Sequence, residues 1–446
     1  MSEAKLNVVR ELIERASDSV VRGLEQSLLG GGDYDETTQA LYAMVSRERV
    51  LRRTQSLVFA PILGPFTRRE RVLPTLQYPP DTLKLLWRDL SETDSELIQR
   101  AMQDVSNRAD VEVPSSFDKV CKAAAERVAA GETPSVAERI GKSPKDMEQL
   151  AQLLRLAPIL RAVIPKLEIW LRNLNGDNVA AVRLAFKDAV NVADDGGLLL
   201  LEIFCAQMNE PWQVLRLISA VMDRPSDRFL AQSELAIFGE RIIEDIDRRI
   251  DLLKRFDPSL GTDAAVEMAA NVGVIVNEIA EFEGWITLGR DQGWGQKIYN
   301  QKRALALAVE ARLKDGEGAV NKALPLAAKP FGVKVLRAPA KLTEDPDPAA
   351  VNKAEALLIF SDGVRSSAAL GGFGSFRAKM IEILDERLDH YAEDLIDRLA
   401  TDGGRSGPPR ARVQAFLDIA ARFVGLVRDT QAADIIRRRS ASASAA

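Results

Sequence analysis

Residues 376–400, FRAKMIEILDERLDHYAEDLIDRLA, carry the pattern that decides the fold class. Apolar side chains recur there every three or four residues, at Phe376, Met380, Leu384, Leu388, Tyr391, Leu395 and Leu399. A helix turns once in about 3.6 residues, so this spacing places them all on one helical face. The same spacing recurs near the N-terminus, from Leu6 to Leu28, and in the middle of the chain, from Met268 to Ile286.

Composition supports the same fold class along the whole chain. Of the 446 residues, 46% are hydrophobic and 28% are charged, whereas aromatic residues contribute only 6%. The cores must therefore rest on aliphatic side chains and on alanine, the best helix former. We predict an all-α protein with little or no β-structure, built as an elongated array of antiparallel helix pairs or helical bundles. A solenoid-like array is an alternative, although no fixed repeat period is found.

Breaks in the helical pattern divide the chain into five segments. The stretch APAKLTEDPDPA, residues 338–349, combines three prolines with a cluster of acids, which is typical of a linker. The last residues, RRRSASASAA, are of low complexity. We predict an N-terminal helical region over 1–140, a central helical array over 141–327, a linker over 328–349, a C-terminal helical hairpin over 350–437 and a disordered tail over 438–446.

Charge and hydropathy limit the location and the partners. The net charge of −5 gives no general reason to bind nucleic acid, so we do not predict a nucleic-acid partner. The first 17 residues carry charges throughout and lack the apolar core of a signal peptide. No window approaches the roughly 18 uncharged apolar residues of a membrane span. We predict a cytoplasmic protein, with partial association at the inner face of the membrane as an alternative.

The chain lacks the residue patterns of the common catalytic and metal sites. Its single histidine, His390, shares a helix face with Glu386 and Glu393, which favours a surface charge ladder over a metal site. Neither a serine–histidine triad nor a cysteine–histidine zinc cluster can be assembled, and no phosphate-binding loop motif is present. Cys121 and Cys205 lie among apolar residues and are expected to be buried. We predict no cofactor, no metal and no enzymatic activity.

One stretch of unusual composition is the candidate binding site. In RRTQSLVFAPILGPFTRR, residues 52–69, an apolar island over 57–66 lies between two pairs of arginines. The candidate contact residues are Arg52, Arg53, Phe59, Phe66, Arg68 and Arg69. Pro61, Gly64 and Pro65 prevent a continuous amphipathic helix, the usual element at a lipid interface. We therefore favour a plug that closes the end of a helical bundle over a surface that docks on a protein or a membrane.

These observations together favour a protein that works by contact. We predict a non-catalytic helical scaffold, adaptor or tether acting through protein–protein contacts. The expected partner is another protein, and a homo-oligomer is an alternative. The second hypothesis is a peripheral membrane protein that binds anionic lipid through residues 52–69, and an enzyme without a recognised motif comes third.

Overall fold

The computed structural model describes residues 3–30, 36–67, 76–107, 114–141, 143–290, 293–327, 338–401 and 409–445. These residues form twenty α-helices and four 3-10 helices, and they contain no β-strand. Two isolated β-bridges occur in this part of the chain, Ser226–Thr287 and Leu326–Ala340. The prediction of an all-α protein with packed helix pairs is confirmed.

The chain forms two compact units, unit 1 (Met1–Arg224) and unit 2 (Pro225–Ala446). The helices of unit 1 are α1 Glu3–Arg15, α2 Asp18–Gly30, α3 Glu36–Phe59, α4 Thr82–Thr93, α5 Ser95–Asn107, α6 Ser115–Ala130, α7 Pro134–Ile140, α8 Pro144–Arg155, α9 Ala157–Arg172, α10 Gly176–Val192, α11 Gly196–Gln207 and α12 Val214–Met222. Its 3-10 helices are Ala60–Ile62, Gly64–Phe66 and Pro211–Gln213. Helix α3 is central to the N-terminal half of unit 1, because it packs against α1, α2, α4, α5 and α6.

Unit 2 is built around one short apolar helix. Its helices are α13 Asp227–Leu230, α14 Ala236–Arg255, α15 Thr262–Trp285, α16 Gly293–Ala323, α17 Pro348–Gly363, α18 Gly374–Thr401, α19 Arg410–Val427 and α20 Thr430–Ala445, with a 3-10 helix at Pro258–Leu260. Helix α17 packs against α15, α16 and α19. It is buried on several sides, and the ring of Phe360 lies 5.8 Å from that of Phe256, centroid to centroid.

Local capping explains where several helices begin. The Asn175 side chain accepts a hydrogen bond from the Asn178 amide, 2.9 Å away, at the start of α10. The Asp347 carboxylate accepts one from the Ala349 amide at 3.0 Å, just before Pro348 begins α17. Such side chains satisfy amides that have no partner inside the helix, and proline at the first position has no amide to satisfy.

The division into two units does not follow the predicted segments. The predicted central array, 141–327, crosses the boundary between residues 224 and 225. The predicted C-terminal hairpin is four helices, α17 to α20, and α17 belongs to the same core as α15 and α16. The described end of the predicted linker folds back, because the Ala327 amide donates to the Pro339 carbonyl oxygen at 2.8 Å. Residues 328–337 lie outside the described part.

The C-terminal tail also differs from the prediction. Helix α20 continues through residues 438–445, which were predicted to be disordered; residue 446 is not described. The Ser440 hydroxyl is buried and lies 3.0 Å from the Gln414 side-chain oxygen on α19. Low complexity did not prevent folding here, because alanine favours helix and the buried Ala433 and Ile436 anchor α20.

Hydropathy of the helices bears on membrane insertion. Over the described residues, no helix combines the length and the apolar character that crossing a bilayer requires.

The close approach of α17 to α15 supplies a stability test. A methyl group added at Gly363 would lie 2.6 Å from the Ala269 side chain, which is too close for two carbons. We expect Gly363→Ala to lower the free energy of unfolding of unit 2 by about 1–3 kcal/mol, because overpacking displaces a helix. Chemical denaturation of the full chain measures this change.

Two further variants separate overpacking from helix propensity. Ala269→Gly added to Gly363→Ala removes the clash and should restore part of the stability. Gly318→Ala lies within α16, where the new methyl group meets nothing within 4 Å, and it should be neutral or stabilising by up to about 1 kcal/mol. Equal losses for Gly363→Ala and Gly318→Ala would contradict the packing argument.

Candidate interaction surface

The apolar island lies largely inside unit 1. Helix α3 ends at Phe59, and two 3-10 helices, each with a proline in its first turn, carry the chain through the island. The side chains of Phe59 and Phe66 are each only 2% exposed. The Phe59 ring packs edge-on against Trp87 at 5.9 Å between centroids, and the Phe66 ring stacks on Tyr78 at 5.0 Å. This burial agrees with the interpretation of the island as a plug that closes the end of a helical bundle.

Two contacts fix the plug against the rest of unit 1. Gly64 approaches helix α11 so closely that an added methyl carbon would lie 2.5 Å from the Ala206 side chain. On the other side, the Arg161 guanidinium on α9 donates to the carbonyl oxygens of Leu57 and Val58 at 3.0 and 2.9 Å. A cation at the last carbonyls of a helix is stabilising, because those groups have no partner inside the helix. The end of α3 is therefore held by charge as well as by packing.

Five of the six predicted contact residues divide into three groups. Phe59 and Phe66 belong to the core and do not form a contact surface, because their rings have aromatic partners inside unit 1. Arg53 is exposed on α3, as expected of a contact residue. Arg68 and Arg69 lie outside the described residues.

Arg52 has a structural role that the sequence pattern does not indicate. Its guanidinium donates to the carbonyl oxygens of Ile13 (2.9 Å), Glu14 (3.1 Å) and Ala16 (2.9 Å), at the end of α1. It also pairs with the carboxylates of Asp18 at 2.7 Å and Glu48 at 2.6 Å. The side chain is only 17% exposed. Arg52 thus caps α1 and ties both α1 and α2 to α3.

Two adjoining cavities flank Arg52 and together form what we call the basic groove. Their volumes are about 320 and 380 Å³, and they share Asp18, Arg52 and Ser56 in their walls. The charged or exposed apolar side chains that line the basic groove are Asp18, Arg22, Arg49, Arg52, Arg53, Lys84, Leu57 and Leu63. Five of these are cationic and one is acidic, on a chain whose net charge is −5.

Apolar surface lies beside these charges. Leu57 is 40% exposed and Leu63 is 46% exposed, although both belong to the otherwise buried island. Arg49 is 49% exposed and pairs through one nitrogen with Glu25, a buried acid on α2. A guanidinium carries five N–H donors, so the exposed part of this arginine can engage a further carboxylate. The basic groove can therefore bind an anionic group next to an apolar one.

Sequence reasoning found only part of this groove. Arg49, Arg52 and Arg53 belong to the basic stretch that precedes the island, whereas Arg22 and Lys84 are contributed by α2 and α4. Their lateral positions depend on how three helices pack, and a single sequence contains no signal for that.

A second group of buried charges lies in unit 2, between α14 and α15. Glu278 is 2% exposed, and one of its carboxylate oxygens has no hydrogen-bond partner. Burial, together with the neighbouring Asp245 carboxylate, raises the pKa of Glu278 to about 9. Arg249 donates to Asp245 at 2.6 Å, and Arg248 also pairs with Asp245. We assign the proton of the pair to Glu278, because two guanidinium groups stabilise a negative charge on Asp245.

The remaining candidates from the sequence have structural surroundings. His390 is half-buried, and its Nε2 lies 3.2 Å from the Ala338 carbonyl oxygen, so it does not belong to a plain surface ladder. In the part of the chain that the structure describes, no group of three or more His, Cys, Asp or Glu side chains could hold a metal. Cys121 and Cys205 are both buried, as expected, and burial raises the pKa of the Cys121 thiol to about 12.

Comparison with known proteins does not indicate what this surface binds. No protein family, curated protein or solved structure matches the chain.

The position of Arg52 predicts a local loss of structure in a variant. Arg52→Ala removes a group of charge-assisted hydrogen bonds, each worth about 1.5–3 kcal/mol when well protected from solvent. Because the side chain is partly exposed, we expect the free energy of local unfolding of α1 and α2 to fall by about 2 kcal/mol. Hydrogen exchange of the amides over 3–30 measures it.

The neighbouring arginine is the matched control. Arg53→Ala removes the same charge from an exposed position and should leave exchange over 3–30 unchanged. Arg52→Lys keeps the charge but cannot reach several carbonyl oxygens at once, so it should be intermediate. The capping role is refuted if Arg53→Ala opens α1 as much as Arg52→Ala does.

The Glu278 carboxyl predicts a dependence of stability on pH. Its folded pKa of about 9 lies above the value near 4.3 of an exposed glutamate, so the folded chain holds a proton that unfolding releases. The contribution of this group to stability is therefore full below about pH 4 and declines as pH rises towards 9. Glu278→Gln, which keeps the shape without titrating, should flatten this decline in denaturant unfolding of the full chain.

The control for this test is an exposed glutamate on the same helix. Glu283 pairs with Lys302 at the surface, and Glu283→Gln should leave the slope between pH 5 and pH 9 as in the parent chain. If Glu278→Gln also keeps the parent dependence of unfolding free energy on pH, the proton of the Asp245–Glu278 pair does not reside on Glu278.

Proposed function

We propose that this chain is a non-catalytic scaffold or adaptor that binds another protein through the basic groove of unit 1. The observation that supports this proposal most directly is the composition of the groove. Five cationic side chains and one acid line the groove, and the exposed Leu57 and Leu63 lie in its walls, on a chain with an excess of acids. Glu25 and Glu48 pair with Arg49 and Arg52, and the cations still outnumber the acids. Arginine is enriched in protein interfaces and among the residues that contribute most to their affinity.

Exposed apolar side chains on α1 and α2 support a contact function for the same part of unit 1. Val8 and Leu12 are exposed one turn apart on α1, and Val20 and Leu24 are exposed one turn apart on α2. A helix that faces only solvent usually presents polar side chains there. These two pairs are further apolar surface of unit 1 that a protein partner could cover.

The membrane hypothesis receives less support. Two of its six contact residues are Phe59 and Phe66, and moving either ring from the core into lipid would first cost about 1.5–3 kcal/mol of burial. The cations and leucines that remain exposed line a concave groove, whereas a bilayer presents a nearly flat surface. A protein segment fits a concave groove better, so we place lipid binding second.

A comparison of two charge-reversed proteins tests the proposal. The first carries Arg22→Glu with Arg53→Glu, two exposed positions in the groove; the control carries Arg100→Glu with Lys166→Glu, two exposed positions of unit 1 that do not line it. Tagged full-length chains are recovered from soluble and membrane fractions of the native host. We expect a stoichiometric protein partner with the parent and the control, and at least about tenfold less with the groove variant.

Two results would count against the proposal. Equal recovery of the same partners by both variants would show that the groove is not the contact surface. Recovery from membranes alone, reversed by salt and by the groove variant, would favour the lipid hypothesis instead.

A further inference from the structure

Two of the five cationic side chains of the basic groove lie in a row with Leu57. Arg49, Arg53 and Leu57 follow one another at intervals of four residues, so they form one ridge along α3. The ridge extends over eight residues, or about 12 Å at 1.5 Å per residue. It begins with two cations and ends with an apolar side chain.

A second helix supplies the opposite wall of the groove. Arg22 and Val21 on α2 line the same cavity as this ridge, and α2 packs along α3. Two packed helices leave a furrow between their ridges, and the side chains of a third helix fit such a furrow. In the described part of unit 1, no sheet edge is available to pair with an extended peptide. The basic groove thus favours a helical occupant over an extended peptide.

The charges that line the basic groove determine which charge an occupant should carry. Near the start of the ridge, Arg22, Arg49 and Arg53 line the cavity with Asp18 as the acid among them. Glu25 already pairs with Arg49 and Glu48 with Arg52, so the internal acids engage parts of two arginines and leave Arg22 and Arg53 exposed to a ligand. Leu57 is exposed at the end of the ridge and Leu63 is exposed in the adjoining cavity, so both can contact an apolar side chain of an occupant.

We propose that the basic groove binds an acidic amphipathic α-helix of another protein, with two carboxylates one turn apart against Arg22, Arg49 and Arg53 and an apolar side chain against Leu57 and Leu63. This inference rests on the proposed adaptor function and names the chemical class of the partner segment. Carboxylates at positions i and i+4 with a leucine at i+8 match the ridge residue for residue.

The experiment uses the full chain and three defined probes. The first is a labelled helical peptide of about 15 residues, with glutamates at i and i+4 and leucine at i+8 on one face. The second is a peptide of the same composition in scrambled order. The third is a vesicle of phosphatidylserine and phosphatidylcholine. Fluorescence anisotropy and vesicle sedimentation measure binding at low and at physiological ionic strength.

We expect saturable binding of the ordered peptide and at least about fivefold weaker binding of the scrambled one. Arg22→Glu with Arg53→Glu should weaken binding of the ordered peptide about tenfold or more, whereas Arg100→Glu with Lys166→Glu should leave it unchanged. Leu57→Ser should weaken it about three- to tenfold, with little change in its dependence on salt, because this side chain carries no charge.

Other outcomes overturn the inference, each in a distinguishable way. Equal binding of both peptides means that the groove takes any polyanion and does not recognise a helix. Binding of vesicles but not of the ordered peptide, sensitive to the groove variant, assigns the groove to lipid. If the host partner depends on Arg22 and Arg53 while the ordered peptide does not bind, the adaptor function stands and the acidic helix is the wrong partner class.

Discussion

The break at the end of α3 is the constraint on which the N-terminal half of unit 1 depends. Pro61 and Pro65 cannot donate the amide hydrogen bonds of a continuing helix, so the chain turns where the island is most apolar. Phe59, the last residue of α3, and Phe66, beyond the turn, both lie in the core, where their rings pack against Trp87 and Tyr78. Helix α3 also packs against five other helices, so the place where it ends bears on the packing of this whole half of unit 1. The apolar island flanked by arginines therefore has a structural role in the core of unit 1.

This constraint also divides the arginines of α3 into two kinds. Arg52 points towards the end of α1 and is used within the fold, since its donors meet three carbonyl oxygens and two carboxylates. Arg53, its neighbour, is turned by about 100° around the helix and remains exposed. Arg49 lies between these cases, paired on one side and exposed on the other. Identical side chains within five residues thus serve capping, pairing and surface charge.

The sequence predicted the elements well and their assembly only in part. The apolar stripe over 376–400 indicates α18, and its seven positions include the buried Met380, Leu384 and Leu388. Periodicity is a local property, so it identifies a helix and its buried face. It does not reveal that α17 packs across the predicted linker onto α15 and α16, or that Arg22 and Lys84 join the arginines of α3. The C-terminal tail shows the same limit, because the contact of Ser440 with Gln414 on α19 cannot be read from the composition of the tail.

The two clusters of charged residues in this protein differ in how deeply they are buried. In unit 2, Asp245 and Glu278 lie out of water, so each charge must be matched by a guanidinium or removed by a proton. In the basic groove, the more buried Arg52 is matched by Asp18 and Glu48. Arg22 and Arg53 remain in water and need no such match, so the fold can keep cations in excess over acids there. An excess of like charge weakens a compact structure through repulsion, and an acidic partner relieves that repulsion when it binds. The charge of the proposed partner would thus offset the excess of cations that the fold leaves in the groove.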